Sequence, residues 1–489
     1  MKMSKEKIGL LLGLFLFILF ASIQVFPSNL KASLTLAVAV LMAVWWISEA
    51  LPLAVTSLIP VILFPSLGIL SGEDVAGSYF NSTILLFLGG FLLALALEKW
   101  NLHKRIALFI ISHIGGSASV LILSFMLSSA IISMFISNTA TAVMLLPVAL
   151  SVIYKMEEEA SLKEKKFASA LLIAIAYSCS IGGIATLIGT PPNLVFHRVY
   201  LITFPNAPQI SFAQWMVFGL PLSIIMLFLT WLLLTKFYFK GIRNVKIDRS
   251  IIQQEYKALG KTSFEEKVSL SVLVIAIILW IFRTDINLEG FVVPGWSNLF
   301  GNPKMIDDGT IGIFIAFILF LIPSKSQKGS KILDVLAFAK VPWGILILFG
   351  GGFALAEAFH KSGLSLEIGL HLSLLNGLSE FWLLVVIVAT ITFLTEFTSN
   401  TAIANTMLPI IASMAIATHT NPLYLMIPAA IASSFAFMMP VATPPNAIVF
   451  GSGRIKIMDM VKVGFLMNII SIIVLSLMFK FFGSIVFGN

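Results

Sequence analysis

The sequence predicts an all-α polytopic membrane protein built as an inverted repeat, with about 11 transmembrane helices and two re-entrant hairpins. Three observations carry this prediction. Of the 489 residues, 58% are hydrophobic and only 11% are charged, whereas soluble domains carry about 25% charge. Apolar runs of membrane-spanning length recur along the whole chain. In addition, two polar, helix-breaking motifs occur twice in the same order.

The first transmembrane half is residues 1–240. Its apolar runs predict spans near 8–26, 34–50, 52–70 and 81–100, followed by a basic amphipathic stretch along the membrane interface. Two shorter apolar pieces then flank Ser137-Asn138-Thr139 in residues 118–152, and each is marginal for a full span, so we expect a re-entrant hairpin. A span near 167–188 breaks at Gly189-Thr190-Pro191-Pro192, and a long uninterrupted run follows at 212–239.

Residues 241–265 are predicted to form a cytoplasmic connecting loop, and residues 266–489 form the second half. This half repeats the plan, with spans near 266–283, 307–323 and 342–359. A second hairpin at 380–416 carries Ser399-Asn400-Thr401, and a span near 423–440 breaks at Thr443-Pro444-Pro445. A last long span covers about 459–486.

The repeat is visible residue by residue. Gly89-Gly90-Phe91 recurs as Gly351-Gly352-Phe353 at an offset of 262, and the two Ser-Asn-Thr motifs have the same offset. Thr190-Pro191-Pro192-Asn193 recurs 253 residues later. Apolar composition alone does not produce such matched offsets. Paired interruptions in corresponding positions of two halves indicate the binding site of a transporter.

Basic residues predict the orientation in the plasma (inner) membrane. With the N-terminus inside, the inner segments hold 25 of the 31 Lys and Arg residues, which predicts a cytoplasmic N-terminus and an outer C-terminus. Five spans separate the related segments, so the two halves point in opposite directions. Each hairpin then approaches the midplane from its own side of the membrane.

Other functional classes lack support in the sequence. The single Cys179 excludes a disulfide within one chain, and the sequence contains no CxxC, HExxH or GxxxxGK[ST] motif. We therefore expect neither an enzyme nor a catalytic cofactor. The net charge of +8 follows from the basic inner segments, so it does not call for a nucleic-acid partner.

The repeated motifs suit a site for an anion and a small cation. Unwound backbone exposes carbonyl oxygens which, with Asn, Ser and Thr oxygens, suit Na⁺. The amide N–H groups at the start of the next half-helix suit a carboxylate. A single such motif is commonly only a helix cap or kink, but both motifs occurring twice favour a site. Residues 133–141, 189–193 and 398–405 contain no Lys, Arg, Asp or Glu, so helix dipoles and co-bound cations must compensate an anion.

The paired Ser-Asn-Thr and Thr-Pro-Pro-Asn motifs resemble those of the divalent anion/sodium symporter family, whose members carry di- and tricarboxylates. The resemblance covers nearly the whole chain. It implies a homodimer in which a transport domain moves elevator-fashion against a scaffold. It also implies these substrate contacts: Ser137, Asn138, Thr139, Thr190, Pro191, Ser399, Asn400, Thr401, Thr443 and Pro444. One sodium site would use Ser133, Ser137, Asn138 and Gly189, and the other Thr395, Thr398, Asn400 and Ala442.

The predicted function is secondary active transport of C4-type dicarboxylates, namely succinate, malate, fumarate and also 2-oxoglutarate. The predicted partners are the small dicarboxylate, the lipid bilayer and a second copy of the chain, with Na⁺ as the coupling ion. Sodium symport and dicarboxylate exchange both stay open. The alternatives are citrate or sulfate as substrate, or an anion channel.

Two residues of the second hairpin, Ile403 and Glu396, bear on its predicted cation site. Ser-Asn-Thr is followed by Ala-Thr at 140–141 but by Ala-Ile at 402–403, so Ile403 lacks the hydroxyl of Thr141. This difference raises the question of whether the second cation site is intact. Glu396 follows Thr395 directly and is a candidate for shaping that half of the site.

Overall fold

The computed structural model describes residues 4–114, 117–157, 162–239, 250–288, 291–372 and 379–488. The predicted connecting loop lies partly outside them, since its residues 241–249 are not described. The helices of the first half are α1 (Lys5–Ile23), α2 (Leu30–Ser48), α3 (Leu53–Thr56), α4 (Ile59–Ser66), α5 (Gly72–Tyr79), α6 (Ser82–Lys99), α7 (Leu102–His113), α8 (Ala118–Ser133), α9 (Asn138–Glu157), α10 (Leu162–Gly183), α11 (Pro191–Thr203) and α12 (Phe212–Leu232), which a π-helical turn (Leu233–Tyr238) extends.

The rest of the chain begins with a short helix inside the predicted connecting loop. Its helices are α13 (Ser250–Ala258), α14 (Phe264–Ile281), α15 (Asp308–Leu321), α16 (Leu336–Lys340), α17 (Trp343–Lys361), α18 (Leu364–Leu372), α19 (Glu380–Leu394), α20 (Asn400–Ala417), α21 (Pro422–Ala432), α22 (Pro444–Gly451), α23 (Ile457–Met478) and α24 (Ser484–Phe487). A π-helical turn (Phe479–Gly483) joins the last two helices, and short 3₁₀ turns (Trp296–Leu299 and Pro303–Met305) precede α15.

The predicted fold class, a polytopic helical membrane protein, is confirmed. Eight helical stretches in the described residues are long and apolar enough to cross a membrane. Further apolar helices of 10–17 residues include both arms of the first predicted hairpin and the first arm of the second, whereas the other arm of the second hairpin, Asn400–Ala417, is one of the eight. A small ribbon of two antiparallel strands, β1 (Ile286–Leu288) and β2 (Phe291–Val293), was not predicted. The total of 11 spans and the opposite orientation of the halves stay predictions.

The predicted span at 52–70 is divided into two short helices, α3 and α4. Pro52 is the N-cap of α3, and Pro60 lies in the first turn of α4. Proline has no N–H to donate and is therefore accommodated in the first turn of a helix, where that donor would have no intrahelical partner. The two prolines thus mark helix starts inside one apolar run.

The predicted spans near 167–188 and 423–440 unwind earlier than expected. Helix α10 ends at Gly183 and α21 ends at Ala432. Residues 184–190 and 433–443 therefore form non-helical breaks, each ending at the threonine of a Thr-Pro-Pro motif. The prolines explain only where the next helix starts, since they sit in the first turns of α11 and α22. Side chains from elsewhere bind the unwound backbone, as described below.

The described helices follow the sequence repeat. Helices α8 and α19 begin 262 residues apart, as do α9 and α20, whereas α11 and α22 begin 253 apart. The two repeats interlock: α11 packs on α20, and both α9 and α10 pack on α22. Each hairpin is therefore in contact with the broken helix of the other repeat.

Glycines permit the closest helix contacts. A Cβ added to Gly182 would collide with the backbone of Ala130, where α10 crosses α8, and one on Gly89 would collide with the backbone of Gly312, where α6 crosses α15. Small residues let helix backbones approach closely in membrane proteins. The contact between Gly182 and Ala130 fixes the first hairpin against the helix whose break it adjoins.

An ion-pair cluster holds α7 against the start of α14. Arg105 Nε lies 2.6 Å from Glu266 Oε1, and both side chains are largely buried. The same guanidinium donates to the carbonyls of Leu259 and Gly260 at 3.0 Å. Arg105 therefore connects the helix before the first hairpin to the segment that joins the two halves.

Candidate functional site

Four helices begin at one place in the interior. Helices α9 and α20 start at the tips of the two hairpins, and α11 and α22 start directly after the two breaks. Their first turns line a common cavity. The N-caps of α11 and α20, Thr190 and Ser399, make no side-chain capping bond. Unsatisfied N–H groups and the positive ends of four helix dipoles therefore converge on the cavity.

The cavity has a volume of about 640 Å³. It contains every residue that the sequence predicted to contact substrate, drawn from both hairpin tips and both Thr-Pro motifs: Ser137, Asn138, Thr139, Thr190, Pro191, Ser399, Asn400, Thr401, Thr443 and Pro444. Of the predicted sodium ligands, Gly189 and Ala442 also line it. Residues more than 300 positions apart in sequence thus share one compartment.

The first predicted cation site is an oxygen-rich cluster beneath the tip of the first hairpin. Ser133, which is fully buried, lies outside the cavity lining and places Oγ 2.5 Å from Asn138 Oδ1. A Cβ built on Gly183 would lie 2.9 Å from Asn138 Oδ1 and 3.1 Å from the carbonyl oxygen of Gly189. These two oxygens are therefore close to each other. Hydroxyl, amide and backbone oxygens of this kind suit a small hard cation.

The second predicted cation site has the same construction. Thr395 Oγ1 lies 2.7 Å from Asn400 Oδ1 and 2.8 Å from the carbonyl oxygen of Ser433. One hydroxyl proton cannot satisfy both acceptors, so oxygen lone pairs are in excess. Thr398 Oγ1 is buried and has no hydrogen-bond partner in the described part of the chain. An excess of unpaired oxygens fits a sodium site better than a closed hydrogen-bond network.

The asparagines of the two Thr-Pro-Pro-Asn motifs bind backbone rather than the cavity. Asn193 Nδ2 donates to the carbonyls of Gly183 (3.3 Å) and Thr186 (2.7 Å). Asn446 Nδ2 donates to the carbonyls of Ala436 (3.0 Å) and Met439 (3.1 Å), which are the equivalent positions at the offset of 253.

Each asparagine therefore clamps the break that precedes its own helix. Sequence reasoning noted the motif but gave this residue no role. The sequence does mark this residue, because the asparagine recurs in both Thr-Pro-Pro-Asn motifs. The prolines alone would be enough to end a helix, so the repeated asparagine indicates a separate role.

The sequence difference between Thr141 and Ile403 does not affect the cavity lining. Thr141 Oγ1 donates 3.1 Å to the carbonyl of Ser137 in its own helix, and the residue is fully buried. Neither position is among the lining residues. The Thr141 hydroxyl donates its proton within its own helix, and Ile403 has an apolar side chain at the equivalent position.

The walls of the cavity come from helices for which the sequence predicted no binding role. They are mainly aromatic and aliphatic side chains of α6, α17 and the hairpin regions, including Phe87, Phe91, Phe135, Ile345 and Leu348. Glu49 is the one charged residue among the lining residues that the structure describes. It ends α2 with a left-handed φ of 53°.

Comparison with known proteins places the chain among membrane carriers. The family model described as the sodium:sulfate symporter transmembrane region matches residues 6–488. The sodium-dependent dicarboxylate transporter SdcS of Staphylococcus saprophyticus is 43% identical over 486 residues, covering 97% of this chain and 91% of that protein. The SdcS of Staphylococcus aureus MRSA252 is 43% identical over 492 residues, with 99% and 92% covered.

Solved structures share the fold at low sequence identity. MtrF of Neisseria gonorrhoeae, described as illuminating a class of antimetabolite efflux pumps, aligns with a TM-score of 0.58 at 12% identity, covering 86% of this chain and 84% of its own. The YdaH transporter of Alcanivorax borkumensis aligns with a TM-score of 0.55 at 12% identity, covering 84% and 87%.

Proposed function

Because this chain belongs to the sodium:sulfate symporter family, we propose that it is a secondary transporter that carries C4-type dicarboxylates together with Na⁺. Succinate, malate, fumarate and 2-oxoglutarate are the proposed substrates. The relatives that are 43% identical over nearly their whole length are named sodium-dependent dicarboxylate transporters, which supports both the substrate class and the coupling ion.

The observation that carries the proposal is a cavity in which four polar motifs meet and whose described lining holds no cationic side chain. Both Ser-Asn-Thr tips and both Thr-Pro starts meet there, so two groups of N–H and hydroxyl donors can each hold one carboxylate. We propose that Ser137, Asn138 and Thr139 bind one end of the dicarboxylate. Ser399, Asn400 and Thr401 bind the other, and the Thr-Pro pairs at 190–191 and 443–444 close the site.

Sodium supplies the charge that the side chains do not. Two negative charges at membrane depth need compensation, and four helix N-termini, each worth about half an elementary charge, provide part of it. The cation sites of the two hairpins share Asn138 and Asn400 with the anion site. A cation at Ser133–Asn138 and another at Thr395–Asn400 therefore orient the amides toward the substrate and cancel its charge.

We also propose the arrangement in the cell membrane. The basic residues favour a cytoplasmic N-terminus and an outer C-terminus. The family resemblance favours a homodimer whose hairpins and broken helices move as one body past a scaffold. The interlocking of α9 and α10 with α22, and of α11 with α20, supports a common movement of both repeats.

Uptake of radiolabelled succinate into proteoliposomes of the purified protein tests the function. External sodium and internal dicarboxylate are varied independently, with citrate and sulfate as competitors. We expect uptake into empty vesicles that requires an inward sodium gradient. Uptake only into vesicles preloaded with dicarboxylate, regardless of sodium, would identify an exchanger. Competition by sulfate or citrate, but not by malate or fumarate, would contradict the substrate class.

A further inference from the structure

Glu396 is a buried carboxylate held by the unwound backbone of the second repeat. It is 1% exposed. Its Oε1 accepts from the N–H of Phe437 (2.7 Å) and from Asn468 Nδ2 (2.8 Å), and its Oε2 accepts from the N–H of Met439 (2.9 Å). The N–H of Met438 reaches both oxygens, at 2.8 and 3.0 Å. Three consecutive N–H groups that a continuous helix would pair internally are thus bound by one side chain.

These contacts connect Glu396 to the second cation half-site. Glu396 directly follows Thr395, whose hydroxyl bonds both Asn400 and the carbonyl of Ser433 at the start of the same break. Met439 donates to Glu396, and its carbonyl accepts from the N–H of Ala442 at 3.2 Å. The carboxylate therefore fixes the segment that presents Ala442 to the cavity, and it adds a negative charge near a site proposed to take a cation.

The first repeat has no carboxylate at the position equivalent to Glu396. The position 262 residues before Glu396 is Met134, which has no carboxylate. At the first break the described hydrogen bond to the hairpin tip comes from a hydroxyl, Thr186 Oγ1, which donates 2.5 Å to the carbonyl of Met134. The Asn clamp is present in both repeats, and Trp215 Nε1 also donates to the carbonyl of Ile184 in the first break at 3.0 Å. Among the described residues, only the second break has a carboxylate that binds consecutive N–H groups.

We propose that Glu396 is a positioning residue that pre-forms the second cation half-site, so that the two half-sites of this chain bind sodium unequally. The inference rests on the proposed sodium-coupled function. A half-site whose backbone is already fixed loses less conformational freedom when the ion binds than one that must order its break on binding. The second repeat accordingly binds sodium more tightly than the first.

Glu265 provides a matched control. It is also 1% exposed, and its Oε1 accepts from the N–H groups of Lys325 and Ser326 and from Ser324 Oγ, each at 2.8 Å. Glu265 is therefore a buried carboxylate of the same chemistry that does not line the cavity. Replacing either carboxylate by Gln removes a charge and places an amide against backbone donors.

The experiment measures succinate uptake in proteoliposomes against external sodium for the wild type, Glu396→Gln and Glu265→Gln. Hydrogen bonds to a charged group are strong enough that we expect Glu396→Gln to raise the half-saturating sodium concentration about tenfold or more. The KM for succinate at saturating sodium should change less than about threefold, because the substrate contacts are retained. Glu265→Gln should keep the sodium curve of the wild type.

Each outcome decides a separate point. Wild-type uptake that ignores sodium would refute the proposed function itself. Sodium-driven wild-type uptake with an unchanged curve for Glu396→Gln would overturn only the role of Glu396, as would an equal shift in Glu265→Gln. If Glu396→Gln does not fold, Asn468→Ala tests the proposal instead. This variant removes one hydrogen-bond donor to Glu396 and keeps the charge of the carboxylate. We expect it to shift the sodium curve about threefold in the same direction, and an unshifted curve contradicts the proposal.

Discussion

The hydroxyl of Ser133 donates a hydrogen bond of 2.5 Å to Oδ1 of Asn138. The same relationship recurs 262 residues later, where Thr395 Oγ1 lies 2.7 Å from Asn400 Oδ1. In each repeat the last turn of one hairpin arm thus orients the amide at the start of the other arm. The amide oxygen points into the hairpin, which leaves its N–H₂ group for the cavity side.

Replacing either amide should abolish transport. Asn138→Ala and Asn400→Ala each remove a proposed cation ligand and an anion donor, so we expect uptake to fall about a hundredfold or more. Ser151→Ala is the control, because Ser151 is a half-buried residue of the first hairpin whose described hydrogen bond is to the carbonyl of Pro147 in its own helix. Uptake and size-exclusion profiles of the three variants check this, and wild-type uptake in either Asn variant would refute the site.

The side chain of Thr395 should affect sodium binding through its hydroxyl oxygen rather than through its branched shape. Thr395→Val keeps the branched side chain but removes the oxygen, and we expect the half-saturating sodium concentration to rise about tenfold. Thr395→Ser keeps the oxygen and should restore the wild-type sodium dependence. Sodium titrations of uptake compare the two variants. If Thr395→Val and Thr395→Ser have the same half-saturating sodium concentration, position 395 does not bind a cation.

The difference between Thr141 and Ile403 should have no effect on coupling. Neither position lines the cavity, so Thr141→Val and Ile403→Thr should each leave the sodium dependence of uptake within about twofold of wild type. Uptake at a series of sodium concentrations measures this. A shift in either variant would show that these positions do reach the ion.

The asparagine clamps should contribute to stability as well as to transport. Asn193→Leu removes a side-chain donor from the carbonyls of Gly183 and Thr186, and Asn446→Leu removes one from the carbonyl of Ala436, whereas the carbonyl of Met439 keeps the N–H of Ala442. Each buried carbonyl that is left unpaired costs about 1–3 kcal/mol. We expect lower melting temperatures in detergent and weaker sodium-dependent uptake. Asn298→Leu is the control, since Asn298 is exposed and donates to the side chain of Asp285 rather than to a buried carbonyl. Melting temperatures equal to that of the control would contradict the clamp.

The close contact between α10 and α8 should not tolerate a methyl group. Gly182→Ala places Cβ against the backbone of Ala130, and overpacking of this kind costs about 1–3 kcal/mol. Gly77→Ala, in α5, meets open space and should be neutral or slightly stabilising. Thermal melting of both variants tests the contact, and equal melting temperatures would show that the helices can separate.

The fold and the lining of the cavity were accessible from sequence because both depend on local, repeated signals. Apolar runs indicated the spans, and Ser-Asn-Thr and Thr-Pro-Pro identified the four helix starts at the cavity. Where the helices before the breaks end was not accessible. Helix α21 stops at Ala432 although the sequence stays largely apolar beyond it, and Glu396 of the second hairpin binds the N–H groups of residues 437–439 that a longer helix would pair internally.

The remaining gaps have the same cause. Glu49, Ile345 and Leu348 line the cavity because tertiary packing places their helices there, and no motif marks them. The repeat of Asn193 as Asn446 signals a role for the asparagine, but not which groups it binds. Its partners, the carbonyls of Gly183 and Thr186, depend on how the break turns back toward the amide.

A cavity whose described lining holds one carboxylate and no basic side chain has a built-in means of unloading. Its positive potential comes from four helix N-termini and from ions that come and go, so its affinity for an anion follows the sodium concentration of whichever compartment it faces. Where sodium is scarce, the ions dissociate, and the helix N-termini alone hold the anion more weakly. Retention and release then need no separate trigger, because the salt gradient itself decides on which side of the membrane the carrier empties.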